Sequence, residues 1–142
     1  MKEKLDIIVY GSTGFTGSLC VKYLKENYPD IKFGIGGRNK DKLQSVCDKH
    51  SLRCNIFIAD GDDSEALDKI TSSTKVVIST AGPFHRYGSK MVASCVKNGA
   101  HYVDITGENF WVREMIAKHH EEAKRKGVRI ISACGYDSVP SD

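Results

Sequence analysis

The stretch LDIIVYGSTGFTGSLC, residues 5–20, constrains the fold more than any other part of the chain. Leu5, Ile7, Ile8 and Val9 form a short β-rich apolar run, too short for a buried helix and typical of a parallel strand covered on both faces. Three glycines spaced three apart interrupt the run, and helical patterning follows them. Gly11 permits a tight turn, Gly14 leaves no Cβ where a backbone must approach a pyrophosphate, and Gly17 lets the helix pack closely on its strand. The helix N-terminus, with its free amides and dipole, favours phosphate charge. The spacing is GxxGxxG, one residue longer in the first gap than GxGxxG. It is not GxxxxGK[ST], which excludes a mononucleotide P-loop. A glycine-rich turn that serves packing alone is the plainer alternative.

The alternation of strand and helix signals continues to the end of the chain. Leu19, Cys20, Tyr23 and Leu24 mark one face of the first helix, which should stop near Asn27 because Pro29 cannot continue it. A second strand over residues 31–36 ends in GGRNK, and the next helix begins near Asn39 or Lys40 with Leu43, Val46 and Cys47 inward. Residues 55–59 form the third strand, closed by Asp60; Asp63 or Ser64 then caps a short helix whose Leu67 and Ile70 face the sheet. Residues 75–79 make the fourth strand, followed by the loop TAGPFHRYG. The helix after it turns Met91, Val92, Cys95 and Val96 inward and stops at Gly99. Residues 101–105 are the fifth strand, a longer helix over 109–126 ends at Gly127, and residues 128–132 are the sixth strand. Six short strands alternating with helices predict an α/β fold, a doubly wound parallel sheet of the Rossmann type in the order 3-2-1-4-5-6. With no linker, repeat or low-complexity tract, residues 1–142 read as one domain.

Composition narrows the function classes. A net charge of +3 with both signs interspersed argues against a nucleic-acid partner. The five cysteines, Cys20, Cys47, Cys54, Cys95 and Cys134, are odd in number, form no CxxC and mostly sit in apolar surroundings. They read as reduced buried thiols of an intracellular protein rather than as disulfides or metal ligands. The N-terminus lacks the apolar core of a signal peptide, and no stretch is long enough to span a membrane. His119, His120, Glu121 and Glu122 form no HExxH and read as a solvated helix face, so no metal is expected. Phe110, Trp111 and Met115 read as core.

In a doubly wound sheet the ligand crevice lies beyond the carboxyl ends of the strands, at the switch between the first and fourth. Small residues crowd those ends: the glycine turn, Gly36-Gly37, and Thr80-Ala81-Gly82-Pro83. An NAD site places a carboxylate at the end of the second strand to hold the ribose 2′-hydroxyl. This chain has glycines there, followed by Arg38, whose guanidinium can fork onto a 2′-phosphate. The expected cofactor is therefore NADP(H), with NAD(H) second. Asp60 is placed either to contact the adenine side or to close a turn. His85, Arg86 and Tyr87 follow the fourth strand, where a substrate or proton-relay role competes with a plain surface loop.

The segments VYGSTGFTG, GIGGRNKDKL, STAGPFHRYGSKMV, NGAHYVDITGE and ACGYDSVPSD together resemble the saccharopine dehydrogenase-like oxidoreductases, the family that includes bacterial trans-acting enoyl reductases. The resemblance covers nearly the whole chain in order. It implies an NADP(H)-binding domain whose cofactor residues are Gly11, Ser12, Thr13, Gly14, Phe15, Thr16 and Gly17, with Arg38, Asp60, Ala81, Gly82 and Pro83. Family members generally carry a larger second domain after this segment. The resemblance thus implies an oxidoreductase as the full-length protein, with substrate bound by a downstream domain and this segment inactive alone. The substrate class is either an amino-acid conjugate or a lipid thioester, with hydride transfer supplied by the cofactor. Candidate acids are Tyr87, Asp104, Glu108 and Asp137, each of which can equally serve as a cap or loop hydrogen-bonder. A homodimer, and membrane or organelle association of the full-length protein, are compatible with the family.

Two rivals remain. Short-chain dehydrogenases resemble one another in a Tyr-x-x-x-Lys pair, but Lys90 follows Tyr87 at three residues rather than four. A noncatalytic NADP-sensing or scaffold protein is the alternative from a different class, since the fold does not dictate catalysis.

Overall fold

The computed structural model describes residues 3–136. Its six-stranded parallel sheet has the order β3-β2-β1-β4-β5-β6, as the sequence predicts. The strands are β1 (Leu5–Tyr10), β2 (Phe33–Gly37), β3 (Ile56–Ile58), β4 (Thr74–Ser79), β5 (His101–Asp104) and β6 (Ile130–Ile131). The helices are α1 (Phe15–Asn27), α2 (Lys40–His50), α3 (Ser64–Thr71), α4 (Phe84–Tyr87), α5 (Ser89–Asn98) and α6 (Asn109–Lys126).

The central strand is β1, paired on one side with β2 through Val9↔Ile35 and on the other with β4 through Ile8↔Val77. Its alternating side chains feed two cores. Val9 joins Val21, Leu24, Ile35, Leu43 and Val46 beneath α1 and α2. Ile8 and Tyr10 join Leu67, Ile70, Val77, Met91, Val92, Tyr102 and Trp111 beneath α3, α5 and α6. Right-handed crossovers explain the division: from β1 the chain moves outward to β3 over one face, then restarts at β4 and moves the other way over the opposite face. The direction reverses between β1 and β4, which opens a crevice there.

Local chemistry sets the helix ends. Asn39 caps α2 by accepting from the Lys42 amide at 3.0 Å, and Asp63 caps α3 by accepting from Ala66 at 3.1 Å. Gly99 and Gly127 end α5 and α6 in the left-handed conformation, with φ of 80° and 70°.

Several local expectations need correction. The inward face of α1 is Gly17, Val21 and Leu24, whereas Leu19 and Tyr23 are 51% and 56% exposed. Phe110 is 64% exposed, and only Trp111 and Met115 of that group enter the core. The second strand is displaced to 33–37, the sixth shrinks to two residues, and the loop after β4 contains the extra helical turn α4. Of the thiols, Cys47 and Cys95 are buried, Cys20 and Cys54 half-buried, and Cys134 exposed. No cluster of metal-ligating side chains occurs among the described residues, and none of the described helices is long and apolar enough to cross a membrane.

Candidate cofactor crevice

The carboxyl ends of β1, β2, β3 and β4 surround a crevice of about 300 Å³. Tyr10, Gly11, Thr13 and Gly14 form its floor, Gly37 and Arg38 one wall, Asp60, Gly61 and Tyr87 its far end, and Thr80, Ala81 and Gly82 the other wall. A larger apolar groove of about 560 Å³ lies between α6 and β6 at the sheet edge. Among the described residues it shares no lining residue with the crevice at the glycine turn, which is the one with binding chemistry.

The turn is fastened to both neighbouring strands. The Gly11 amide donates to the Gly36 carbonyl at 2.9 Å, and the Thr80 hydroxyl donates to the Gly11 carbonyl at 3.1 Å. Gly11 has φ of 91°, a conformation that favours glycine. Gly17 packs against the Gly11 carbonyl with no room for a side chain. Gly14 differs: a Cβ there would meet only the Gly11 oxygen, at 3.6 Å, and otherwise points into open space. Among the described residues nothing requires glycine at position 14, which leaves room for a ligand as the physical reason for it. No side chain caps α1, although α2 and α3 are both capped. Uncapped amides and an open Gly14 suit a pyrophosphate.

Electrostatics agree with a phosphorylated ribose. The end of β2 carries no carboxylate, and the exposed Arg38 makes no ion pair with any described residue. Beneath it, the Tyr10 hydroxyl donates to the Ala59 carbonyl at 2.9 Å. Burial, reinforced by the charge of Asp60, pushes this phenol up to about 12, so it remains a neutral strut between β1 and the end of β3.

The four candidate acids separate in space. Asp104 is 1% exposed and saturated with donors: the Tyr102 hydroxyl at 2.7 Å, the Thr106 amide at 3.1 Å, the Ala133 amide at 3.0 Å and the Ser132 hydroxyl at 3.4 Å. It ties the end of β5 to the segment after β6. Glu108 accepts from the Phe84 amide at 2.7 Å, the His85 amide at 3.2 Å and the His85 ring, joining the start of α4 to the loop after β5. Burial resists its ionisation, but these hydrogen bonds outweigh that and hold Glu108 below the usual glutamate range. Tyr87 stands instead at the β3 end of the crevice, beside Asp60 and Gly61. Asp137 lies outside the described residues.

Of the sequence-predicted cofactor residues, Gly11, Thr13, Gly14, Arg38, Asp60, Ala81 and Gly82 line the crevice. Ser12 is buried with its hydroxyl on the Val9 carbonyl, and Phe15 is 83% exposed at the start of α1. Thr16 is exposed on the first turn of α1, and Pro83 is exposed where α4 begins. Tyr10 and Gly61 line the crevice without having been singled out from sequence; the signal for Tyr10 is a polar aromatic at the last strand position before the glycine turn.

A sequence profile described as "Saccharopine dehydrogenase NADP binding domain" matches residues 7–131. The chain belongs to this family. Its cofactor is NADP(H), as the missing carboxylate and Arg38 anticipate. A lipid droplet localized protein from Caenorhabditis elegans is 37% identical over 149 residues, covering 99% of this chain and 35% of its own length. A trans-acting enoyl reductase from Mycobacterium leprae is 37% identical over 144 residues, covering 99% and 34%. The chain therefore spans about a third of the curated relatives it matches. Among solved structures, apo saccharopine dehydrogenase (L-Glu forming) from Saccharomyces cerevisiae has a TM-score of 0.77 at 22% identity, covering 94% of this chain and 28% of that one. A Citrobacter triphenylmethane reductase complexed with NADP(H) has a TM-score of 0.68 at 16% identity, covering 89% and 48%. At these identities the structural likenesses establish the fold.

Proposed function

We propose that this domain presents NADP(H) for hydride transfer in a longer oxidoreductase whose substrate is lipid-derived, of the enoyl thioester type. The observation that carries the reading is the crevice itself, with uncapped α1 amides and an open Gly14 after β1 converging with an Arg38 after β2 that makes no ion pair with any described residue. The enoyl reductase and lipid droplet relatives support a lipid substrate over an amino-acid conjugate. Gly11 to Gly17 would hold the pyrophosphate, Arg38 the 2′-phosphate, and Ala81, Gly82 and Pro83 the central part of the dinucleotide. The bound cofactor supplies the hydride, and the protein supplies orientation and charge.

Substrate binding falls to a downstream domain. One feature that supports this is a row of apolar side chains, Ile78, Val103 and Ile131, lying in register across β4, β5 and β6 on the face opposite Val77 and Tyr102. Ile78 and Val103 are partly open and Ile131 is 48% exposed, and the row suits coverage by further chain. The lipid droplet relative supports a place at an organelle surface.

The test is NADPH oxidation by the full-length protein with and without a long-chain enoyl thioester. Turnover supports the reading. Tight NADPH binding without turnover of enoyl thioester or amino-acid conjugate would instead support the sensing or scaffold role.

A further inference from the structure

Beyond the phosphate turn, the crevice ends between Arg38 on one side and Tyr87 on the other. Tyr87 is the last residue of α4, and two contacts, one from α4 and one from the start of α5, hold that turn over the end of β3. Gly61 is buried against the Tyr87 backbone so closely that a Cβ there would lie 3.0 Å from its carbonyl oxygen and 3.3 Å from its Cβ. The Lys90 ammonium donates to the Asp62 carbonyl at 2.9 Å. The Arg86 guanidinium lies 5.5 Å from the centroid of the Tyr87 ring, in cation–π range. Behind α4, the Phe84 ring packs on Trp111 of α6, with ring centroids 5.7 Å apart, and Gly88 leaves no room for a side chain against Trp111.

Around Tyr87 the lining is Gly37, Gly61, Ala81 and Gly82, with Arg38 and Asp60 as the charged side chains. Of the two aromatic residues that line the crevice, Tyr10 is buried with its hydroxyl on the Ala59 carbonyl, and Tyr87 is the more open one, lining it with Arg38, Asp60 and Gly61. A ring in that place can offer a π-face or edge to a flat heterocycle. We propose that Tyr87 is the adenine wall of the crevice, a residue that strengthens binding of any ligand carrying the adenine without choosing between them, and that Arg86 is a positioning residue that holds its ring. The inference rests on reading the crevice as the NADP(H) site.

Adenine is common to NADPH, NADH and 2′,5′-ADP, so the test compares those three ligands. Titrating wild type, Tyr87→Ala, Tyr87→Phe and Arg38→Ala should show that Tyr87→Ala weakens all three by the same factor. Base–aromatic stacking makes that factor about 5- to 150-fold. Tyr87→Phe, which keeps the ring, should stay within about twofold of wild type. Arg38→Ala should affect only the two ligands that carry the 2′-phosphate. Arg86→Ala should give a smaller loss with the same equal pattern across ligands. If Tyr87→Ala does not fold, Tyr87→Leu keeps the bulk without the π-face and should show the same equal loss. Unchanged binding in a folded Tyr87→Ala or Tyr87→Leu, or a loss confined to the 2′-phosphorylated ligands, overturns the adenine wall while leaving the NADP(H) reading intact. A wild type that binds none of the three overturns both.

Discussion

Gly17 and the carbonyl of Gly11 are in direct contact, and no side chain fits between them. A Cβ at Gly17 would also lie 2.8 Å from the Thr80 hydroxyl, so the clash involves the glycine turn and β4 together. Backbone atoms fastened to β2 and β4 cannot yield cheaply. Gly17→Ala should therefore destabilise the fold by about 3 kcal/mol, at the upper end of the usual cost of overpacking, measured by urea unfolding. Gly14→Val should do the reverse in each respect. Its backbone, at φ −77° and ψ 169°, admits a branched residue, and its Cβ would point into open crevice. The fold should survive and NADPH binding should fall; an unchanged NADPH titration in folded Gly14→Val would remove the pyrophosphate from this turn.

Arg38 should set the cofactor preference. A charge-assisted hydrogen bond nets about 1.5–3 kcal/mol, which corresponds to roughly a 10- to 100-fold preference for NADPH over NADH. Because Arg38 is exposed, part of that preference should disappear at high salt. Arg38→Ala should weaken NADPH with little effect on NADH. Gly37→Asp should reverse the order, since a Cβ at Gly37 makes only ordinary contacts of 3.4–3.8 Å with Leu43 and a carboxylate at the end of β2 favours a ribose 2′-hydroxyl and repels a 2′-phosphate. Dissociation constants of both cofactors for the three proteins decide it; equal losses in Arg38→Ala would show that Arg38 does not read the phosphate.

The sheet order and the glycine turn could be read from the sequence because both are written locally, in strand-length apolar runs and in glycines at fixed spacing. The face of α1 could not. Leu19, Cys20, Tyr23 and Leu24 look like a stripe, but the line of contact is set by Gly17, Val21 and Leu24, and a glycine carries no hydrophobic signal. Phe110 misleads for a related reason: Trp111 and Met115, four apart, form the buried row, and the neighbouring Phe110 faces the other way. The place of Tyr87 was hidden because it depends on its own contact with Gly61 and on the Lys90 hydrogen bond to the Asp62 carbonyl, some 25 residues earlier in the chain. The loop sequence alone could put it at either end of the crevice.

Asp104 should prove to be a structural anchor. Four donors converge on its buried carboxylate, and one of them is the amide of Ala133, a residue held at φ 59° in the left-handed region. Asp104→Asn keeps the shape but replaces one acceptor oxygen with a donor that faces other donors. A loss of about 2–3 kcal/mol is expected in urea unfolding, and Tyr102→Phe in the Asp104→Asn background should cost less than it does alone. A fully stable Asp104→Asn would show that the carboxylate is not needed to hold the end of β6.

Glu108 gives the fold a dependence on acid. Its folded-state value lies below the ordinary 4.5, because hydrogen bonds from the His85 ring and from the Phe84 and His85 amides overcome the effect of burial. A depressed carboxylate contributes stability that is fully present above its unfolded value and is lost as pH falls through the folded one. Wild type should therefore lose stability relative to Glu108→Gln as pH falls below about 4.5, while above it the difference between the two should be constant and favour wild type. Glu108→Gln retains an acceptor for one amide but not the pair of oxygens that serves Phe84 and His85 together. Urea midpoints for both proteins at a series of pH values from 3 to 7 measure the effect, and parallel curves across the whole range would show that Glu108 is not held as a carboxylate by α4.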